Sequence, residues 1–342
     1  MLTQHRRRWD KNASIGLVGR DNDKGLGLLT AEYSKRLNVT KVLVKDCRTS
    51  RLRKLQCPKP FTRYVGNPDR AAAFWVRGFD TLFVLEFAVH PKLFRWARRR
   101  GIYSVLKVNY EFLPESLPEL PDLFLCSSSL NMEMTPYENK VLIPDPVDTE
   151  AIGFRRRTRA ITFVHNAGRF GTQFSNCTPE VLAAIPLVKN PNVRFVIRSQ
   201  KDITFRVDDP RVRYEGAVAD YRDLYREGDV FLMPQKFRAT SLPVQEAMAA
   251  GMPVMTTDMK PFNEFCPFLL QPSSTEMLTG HPLRRPVLAH RVTPETIAEA
   301  IDRLAESEIE VQSRQAREYA ESISWSALTT RIKAVLEGSR KG

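Results

Sequence analysis

Residues 229–258 read DVFLMPQKFRATSLPVQEAMAAGMPVMTTD. The opening DVFLMPQ (229–235) is a short apolar run of strand length. LPVQEAMAAG (242–251) is rich in small residues and helix formers and stops at Gly251, which marks a short helix. PVMTTD (253–258) returns to an apolar, β-prone run. Strand, helix and strand in sequence is the βαβ unit, and such units build parallel sheets through right-handed crossovers.

The same alternation extends in both directions. Before it come the strand AITFVHNAG (160–168), which runs into a glycine turn, and the helix TPEVLAAIPLV (178–188), capped by Thr178. Two strands, VRFVIRS (193–199) and VRYEGAV (212–218), and the helix YRDLYREG (221–228) follow. After it, TPETIAEAIDRLAES (293–307) and REYAESISWSALTTRIKAVLEG (317–338) read as long amphipathic helices. The first half has the same plan. Its strands are SIGLVG (14–19), KVLVKD (41–46), TLFVLEF (81–87), IYSVLKVNY (102–110), DLFLCSS (122–128) and KVLIPDPVD (140–148). Its helices are GLGLLTAEYSKRL (25–37) and PKLFRWARRRG (91–101), the latter closed by Gly101. A charged stretch at 149–158 separates the halves. The expectation is an α/β chain of two Rossmann-like, doubly wound domains, residues 1–150 and 151–342, with the last helix free to cross back to the first. Ligands then belong outside the carboxyl ends of the strands, in a central cleft that the two domains face.

Composition narrows the class. Of the 342 residues, 42% are hydrophobic and 27% charged, which is globular, and no charge-free run exceeds 11 residues. A transmembrane helix needs about 20. The opening MLTQHRRRWDKNASIGLVG leads into a first strand rather than forming a signal peptide. Five cysteines (47, 57, 126, 177, 266) form no CxxC pair, and Cys126 and Cys266 lie in apolar runs, so a reducing, cytoplasmic setting is expected. Five scattered histidines without an HExxH pattern predict no protein-bound metal. The net charge is +13, and residues 1–158 hold 28 Lys+Arg against 17 Asp+Glu, or +11. Either the first half meets something anionic, or the charge solvates a helical rim.

The run Leu242, Pro243, Glu246, Ala247, Met248, Ala249, Gly251, Pro253, Val254 and Asp258 resembles the donor-binding signature of GT-B glycosyltransferases, specifically the retaining glycosyltransferase family 4. RYEGAVADYRDLYREGDVFLMP, KPFNE (260–264) and the Ser-Trp segment SISWSALTTRIKAVL extend the likeness over most of 160–338. A nucleotide-sugar donor, such as a UDP-sugar, is what this resemblance implies. It places Glu246 on the ribose hydroxyls of the donor, where a carboxylate opening a helix accepts both, and Leu242 beside it. The bland alternative is an exposed first-turn glutamate favoured by the helix dipole.

Two departures accompany the likeness. The family's second glutamate, eight residues before Glu246, is replaced by Arg238, with Lys236 nearby. A guanidinium suits a diphosphate or an anionic acceptor, and equally a surface loop. FVHNAGRFGTQFSN (163–176) is similar to the family's diphosphate-binding loop, with Arg169 as its arginine and Gly168 and Gly171 offering backbone N–H groups. The loop's lysine is missing, and Ser175, Asn176 and Thr178 stand in its region. Arg198, on the same sheet edge, is a further phosphate or base contact. Gly25 and Gly27 resemble the family's glycine loop on the acceptor side, and Glu111, Asn109 and His90 are candidates for positioning the acceptor.

In such retaining enzymes the acceptor hydroxyl attacks from the leaving-group face, and the departing phosphate takes its proton. Catalysis is then electrostatic preorganisation and positioning, with Arg169, the 168–171 amides and Arg238 holding the leaving charge. The acceptor side carries the basic clusters Arg6–Arg8, Arg48/Arg51/Arg53/Lys54 and Arg95/Arg98–Arg100. With Trp9, Trp75 and Trp96 these suit hydroxymethylated DNA of the phage kind, with an extruded base. The alternatives are a glycan or lipid-linked acceptor on an anionic membrane surface, and a degenerate nucleic-acid- or glycan-binding module without activity.

Overall fold

The computed structural model describes residues 13–20, 25–44, 61–63, 73–86, 92–168, 175–200, 206–218 and 220–338. The chain divides into two compact units, Met1–Ile143 with Leu328–Gly342, and Pro144–Ala327.

The first unit holds a seven-stranded sheet: β1 (Ile15–Gly19), β2 (Val39–Val44), β3 (Phe61–Arg63), β4 (Thr81–Leu85), β5 (Tyr103–Val108), β6 (Leu123–Cys126) and β7 (Lys140–Leu142). Their order is β3-β2-β1-β4-β5-β6-β7, and every pairing is parallel. β1 and β4 are buried along their whole length, as a parallel sheet covered on both faces requires. Val18, Leu82, Val84, Leu106 and Phe124 pack there with Leu93, Phe94 and Ala97 of the helix Leu93–Arg99. The C-terminal segment closes this unit, where Thr81 Oγ1 donates to Leu336 O at 2.6 Å.

The second unit holds a six-stranded parallel sheet: β8 (Thr162–Gly168), β9 (Arg194–Ser199), β10 (Val212–Glu215), β11 (Val230–Leu232), β12 (Val254–Thr257) and β13 (Phe268–Leu270), in the order β10-β9-β8-β11-β12-β13. Phe163, Phe195, Ile197 and Leu232 form its core with Ile297, Ile301 and Leu304 of the helix Pro294–Ala305. An antiparallel hairpin, β14 (Ser274–Leu278) with β15 (Val287–Arg291), was not visible as alternation in the sequence.

Three elements differ from the sequence reading. The segment expected as one helix over 317–338 is two, Glu310–Ser322 and Trp325–Leu336. The break arises because Ile323 and Trp325 give their backbone bonds to Val147: Val147 N donates to Ile323 O and Trp325 N to Val147 O, both at 3.1 Å. Ser324 Oγ then accepts from Ala327 N at 3.2 Å, capping the new helix. The helix expected over 221–228 is a 3-10 turn, Tyr221–Tyr225, capped by the Asp220 carboxylate. A short helix, Ser129–Met134, went unread although Ser128 Oγ caps it through Asn131 N. Among the described residues no helix is long and apolar enough to cross a membrane.

Candidate functional site

Each sheet has one place where strand order reverses direction, β1/β4 in the first unit and β8/β11 in the second. Chains leaving two adjacent strands there turn to opposite faces and open a crevice at the carboxyl ends. In the second unit β8 ends at Gly168, whose φ of +65° lies in the left-handed region, with nothing within 4 Å of an added Cβ. Its carbonyl accepts from Gln200 N at 2.8 Å and Ser199 Oγ at 3.1 Å, tying the turn to β9. Arg169 and Gly171 lie outside the described residues.

From Ser175 the chain runs antiparallel to the exit of β11. Asn176 bridges Gln235, Lys236 N donates to Ser175 O at 2.7 Å, and Cys177 N to Pro234 O at 3.3 Å. Asn176 Nδ2 reaches Ala167 O at 3.3 Å. His165, in the middle of β8, fastens the same junction. Its Nδ1 stands 2.8 Å from Leu232 O and its Nε2 2.8 Å from Thr178 Oγ1. A carbonyl only accepts, so Nδ1 carries the proton and Nε2 accepts from the hydroxyl. Burial pushes the imidazole down to about 4. Thr178 is therefore not the helix cap expected of it: it lies inside the helix Thr178–Ala184, its hydroxyl taken by His165.

After β11 the chain passes Gln235, Lys236 and Arg238 and enters the helix Leu242–Ala249. Gln235 N donates to Thr257 Oγ1 at 3.0 Å and its Nε2 to Ser241 Oγ at 3.2 Å, so the loop is held at both ends. Lys236 Nζ pairs with Glu180 Oε1 at 2.9 Å. Leu242 is the half-buried first residue of the helix. Glu246 does not open the helix as expected but stands in its second turn, only 9% exposed, so the helix dipole contributes little to it. Its Oε2 accepts from Tyr225 Oη at 2.8 Å. Burial raises the carboxyl to about 7, with the Tyr225 bond opposing the rise. The Tyr225 phenol is itself pushed well above its ordinary value by burial and by the facing carboxylate.

Arg198 does not serve as a free phosphate contact. Its buried guanidinium pairs with Glu215 Oε2 at 2.6 Å and donates to Leu224 O, which fixes the turn bearing Tyr225. Arg157 does the same from the other side, donating to Tyr225 O at 3.0 Å and Gly228 O at 3.3 Å. Tyr225 and His165 are the residues that sequence reading missed here. Both lay in segments quoted for the family likeness but were themselves given no role, and the partners Glu246 and Leu232 lie 21 and 67 residues away.

In the first unit, Gly25 and Gly27 form part of the first turn of the helix Gly25–Arg36 rather than a loop before it. Glu111 is fully buried in the 3-10 turn Tyr110–Phe112. The Asn109 amide, oriented by its neighbours, donates to Glu111 Oε2 at 2.8 Å. This pair is an internal polar network rather than an open acceptor contact. His90 lies outside the described residues. Glu86, which no signal in the sequence marks, follows β4 with a φ of +63°, a left-handed backbone for a non-glycine residue at the β1/β4 reversal.

The basic helix Leu93–Arg99 is less available than its sequence promised. Arg95 and Arg98 pair with Glu119 at 2.6 and 3.2 Å, and Arg100 donates to Trp96 O at 3.2 Å. Trp75 is buried against Phe79 and Trp96 packs on the core, so neither stands ready to stack on a base. The clusters at 6–8 and 48–54, and Trp9, lie outside the described residues. Among the described residues no group of three His, Cys, Asp or Glu side chains could hold a metal ion.

Comparison with known proteins sets this geometry in a class. Residues 164–307 match the family described as glycosyl transferases group 1. HepE from Anabaena, solved in complex with UDP, superposes with a TM-score of 0.71 at 13% identity, covering 95% of this chain and 100% of that one. A glycosyltransferase from Rickettsia africae gives 0.69 at 11% identity over 95% and 98% of the two chains. Sucrose-phosphate synthase from Thermosynechococcus elongatus gives 0.62 at 13% identity over 96% and 99%. No curated protein matches the chain in sequence. The two parallel sheets have the GT-B fold, and within it residues 164–307 match the group 1 glycosyl transferases.

Proposed function

We propose that this protein moves a sugar from a nucleoside-diphosphate sugar to a hydroxyl acceptor, with retention at the anomeric carbon, without a metal, and with the donor held at the β8/β11 reversal. The observation that carries this reading is the Glu246 carboxyl, buried in the helix that follows β11 and contacted by the Tyr225 hydroxyl. A buried carboxyl raised to about 7 weakens the fold at neutral pH, and its place in the helix after β11, beside the strand-order reversal, supports a role toward a ligand. Two ribose hydroxyls would supply the donors its oxygens lack. HepE, similar in fold, binds UDP and UDP-glucose, which agrees with such a donor.

In the reaction the bond between the anomeric carbon and the β-phosphate oxygen breaks on the face that the acceptor oxygen enters. The acceptor proton passes to the departing phosphate, so no protein base is required. Arg169 and the Gly168 and Gly171 amides are the groups assigned to the leaving charge, and preorganised donors of this kind carry much of such a rate enhancement. The excess of +11 over residues 1–158 supports an anionic acceptor. DNA with hydroxymethylated pyrimidines is kept ahead of a membrane surface on the charge excess alone: the helix Leu93–Arg99 turns Leu93, Phe94 and Ala97 into the core and presents no apolar face of its own to lipid, while its Arg95 and Arg98 are paired with Glu119.

The test incubates the protein with hydroxymethylated DNA, plain DNA or anionic liposomes bearing lipid-linked sugars, together with a panel of nucleotide sugars, and reads products by mass spectrometry. Hexosylated nucleosides are expected, and Glu246→Ala should cut turnover at least about 100-fold. Transfer to the lipid arm alone would replace the acceptor. No transfer and no donor hydrolysis in any arm would reject the enzymatic reading.

A further inference from the structure

The guanidinium of Arg238 differs from those of the arginines drawn into the body of its unit. Arg157, Arg198, Arg211 and Arg317 all donate to backbone carbonyls or carboxylates of their own fold. Arg238 is half-buried, yet among the described residues it has no hydrogen-bond or ion-pair partner. A cation partly withdrawn from water gains by meeting an anion, and none of the described groups provides one.

Its place in the fold says which anion. The residue lies on the loop leaving β11, at the carboxyl edge of the sheet beside the β8/β11 reversal. This loop is fastened to the segment that follows β8 through Lys236 N to Ser175 O at 2.7 Å, so Arg238 sits two positions from the point where the two crevice walls meet. The cation nearer that point, Lys236, is already neutralised by Glu180. The segment from Ser175 to Thr178 contributes only neutral side chains. Among the described residues of this loop, Arg238 is therefore the cation left uncommitted, on the opposite strand from the expected one. We infer that Arg238 binds the diphosphate of the donor and supplies the leaving-group charge that the neutral 175–178 segment does not. A guanidinium meets two phosphate oxygens through a planar, parallel pair of N–H donors, a geometry that the point charge of a lysine does not reproduce.

The inference rests on the nucleotide-sugar reading, and the experiment separates the two. Binding of UDP, GDP and ADP, of the matching monophosphates and of the nucleosides is measured by calorimetry for wild type, Arg238→Gln and Arg238→Lys, with far-UV circular dichroism to confirm folding. The expected result is that Arg238→Gln weakens the diphosphate bound by wild type by roughly 10- to 100-fold. Its nucleoside affinity should stay within about twofold, its binding should become less salt-dependent, and Arg238→Lys should fall between. Unchanged diphosphate affinity in Arg238→Gln, or equal loss of diphosphate and nucleoside in a folded variant, would overturn the assignment and leave the donor reading standing. A wild-type protein that binds no member of the panel would remove both.

Discussion

Glu246→Gln gives the sharpest test of the site. In the folded protein burial raises this carboxyl from 4.5 to about 7, so between those values the native state holds a proton that the unfolded chain has released. Stability from this group is complete below pH 4.5 and is lost as pH rises through 7. At about 1.36 kcal/mol per pH unit the loss approaches roughly 3 kcal/mol, of which about 2.5 kcal/mol falls between pH 5 and pH 8.5. Glutamine keeps an acceptor for the Tyr225 hydroxyl and cannot ionise. The variant should therefore gain on wild type by about 2.5 kcal/mol more at pH 8.5 than at pH 5, while losing donor binding. The assay is urea unfolding of both proteins at the two pH values, compared as a difference so that other titrating groups cancel. The same wild-type-to-variant difference at both pH values would show that Glu246 titrates normally and that its burial has been misread. A more stable protein that no longer holds its donor is the signature of a functional group retained against stability.

Three further outcomes follow from the same geometry. His165 behaves oppositely: its pKa is depressed from 6.5 to about 4, the native state binds fewer protons in that window, and stability falls as pH drops. His165→Gln should remove about 2.5 kcal/mol of acid destabilisation between pH 7 and pH 4.5 in urea melts, and an unchanged acid limb would contradict the buried neutral ring. Gly168→Ala and Gly251→Ala separate backbone strain from crowding. Both have positive φ, +65° and +77°, but only Gly251 would press an added Cβ on a backbone oxygen, Arg155 O at 2.8 Å. Thermal melts should show about 1 kcal/mol lost at 168 and clearly more at 251, and equal losses would refute the packing argument.

Much of this protein was legible before any coordinates. Buried parallel strands must be continuous apolar runs, so SIGLVG, TLFVLEF and DVFLMPQ announced themselves, and the helix ending at Gly251 followed from its stop signal. The hairpin over Ser274–Leu278 and Val287–Arg291 was not legible, since its exposed residues include Met277 and Leu288 and blur the alternation on which strand reading depends.

The amino-acid order alone determined the two-fold α/β plan, the βαβ unit around Glu246 and the uneven charge, because each rests on local periodicity or on counting. The folded chain decided which polar groups are free to act. Arg198 became a strut through Glu215, 17 residues on, and Arg95 and Arg98 were quieted by Glu119. Glu246 gained Tyr225 and an elevated pKa, and Arg238 was left without a described partner. Burial and hydrogen bonding are set by neighbours that the crossovers bring together from distant positions, and a one-dimensional pattern does not contain those pairings.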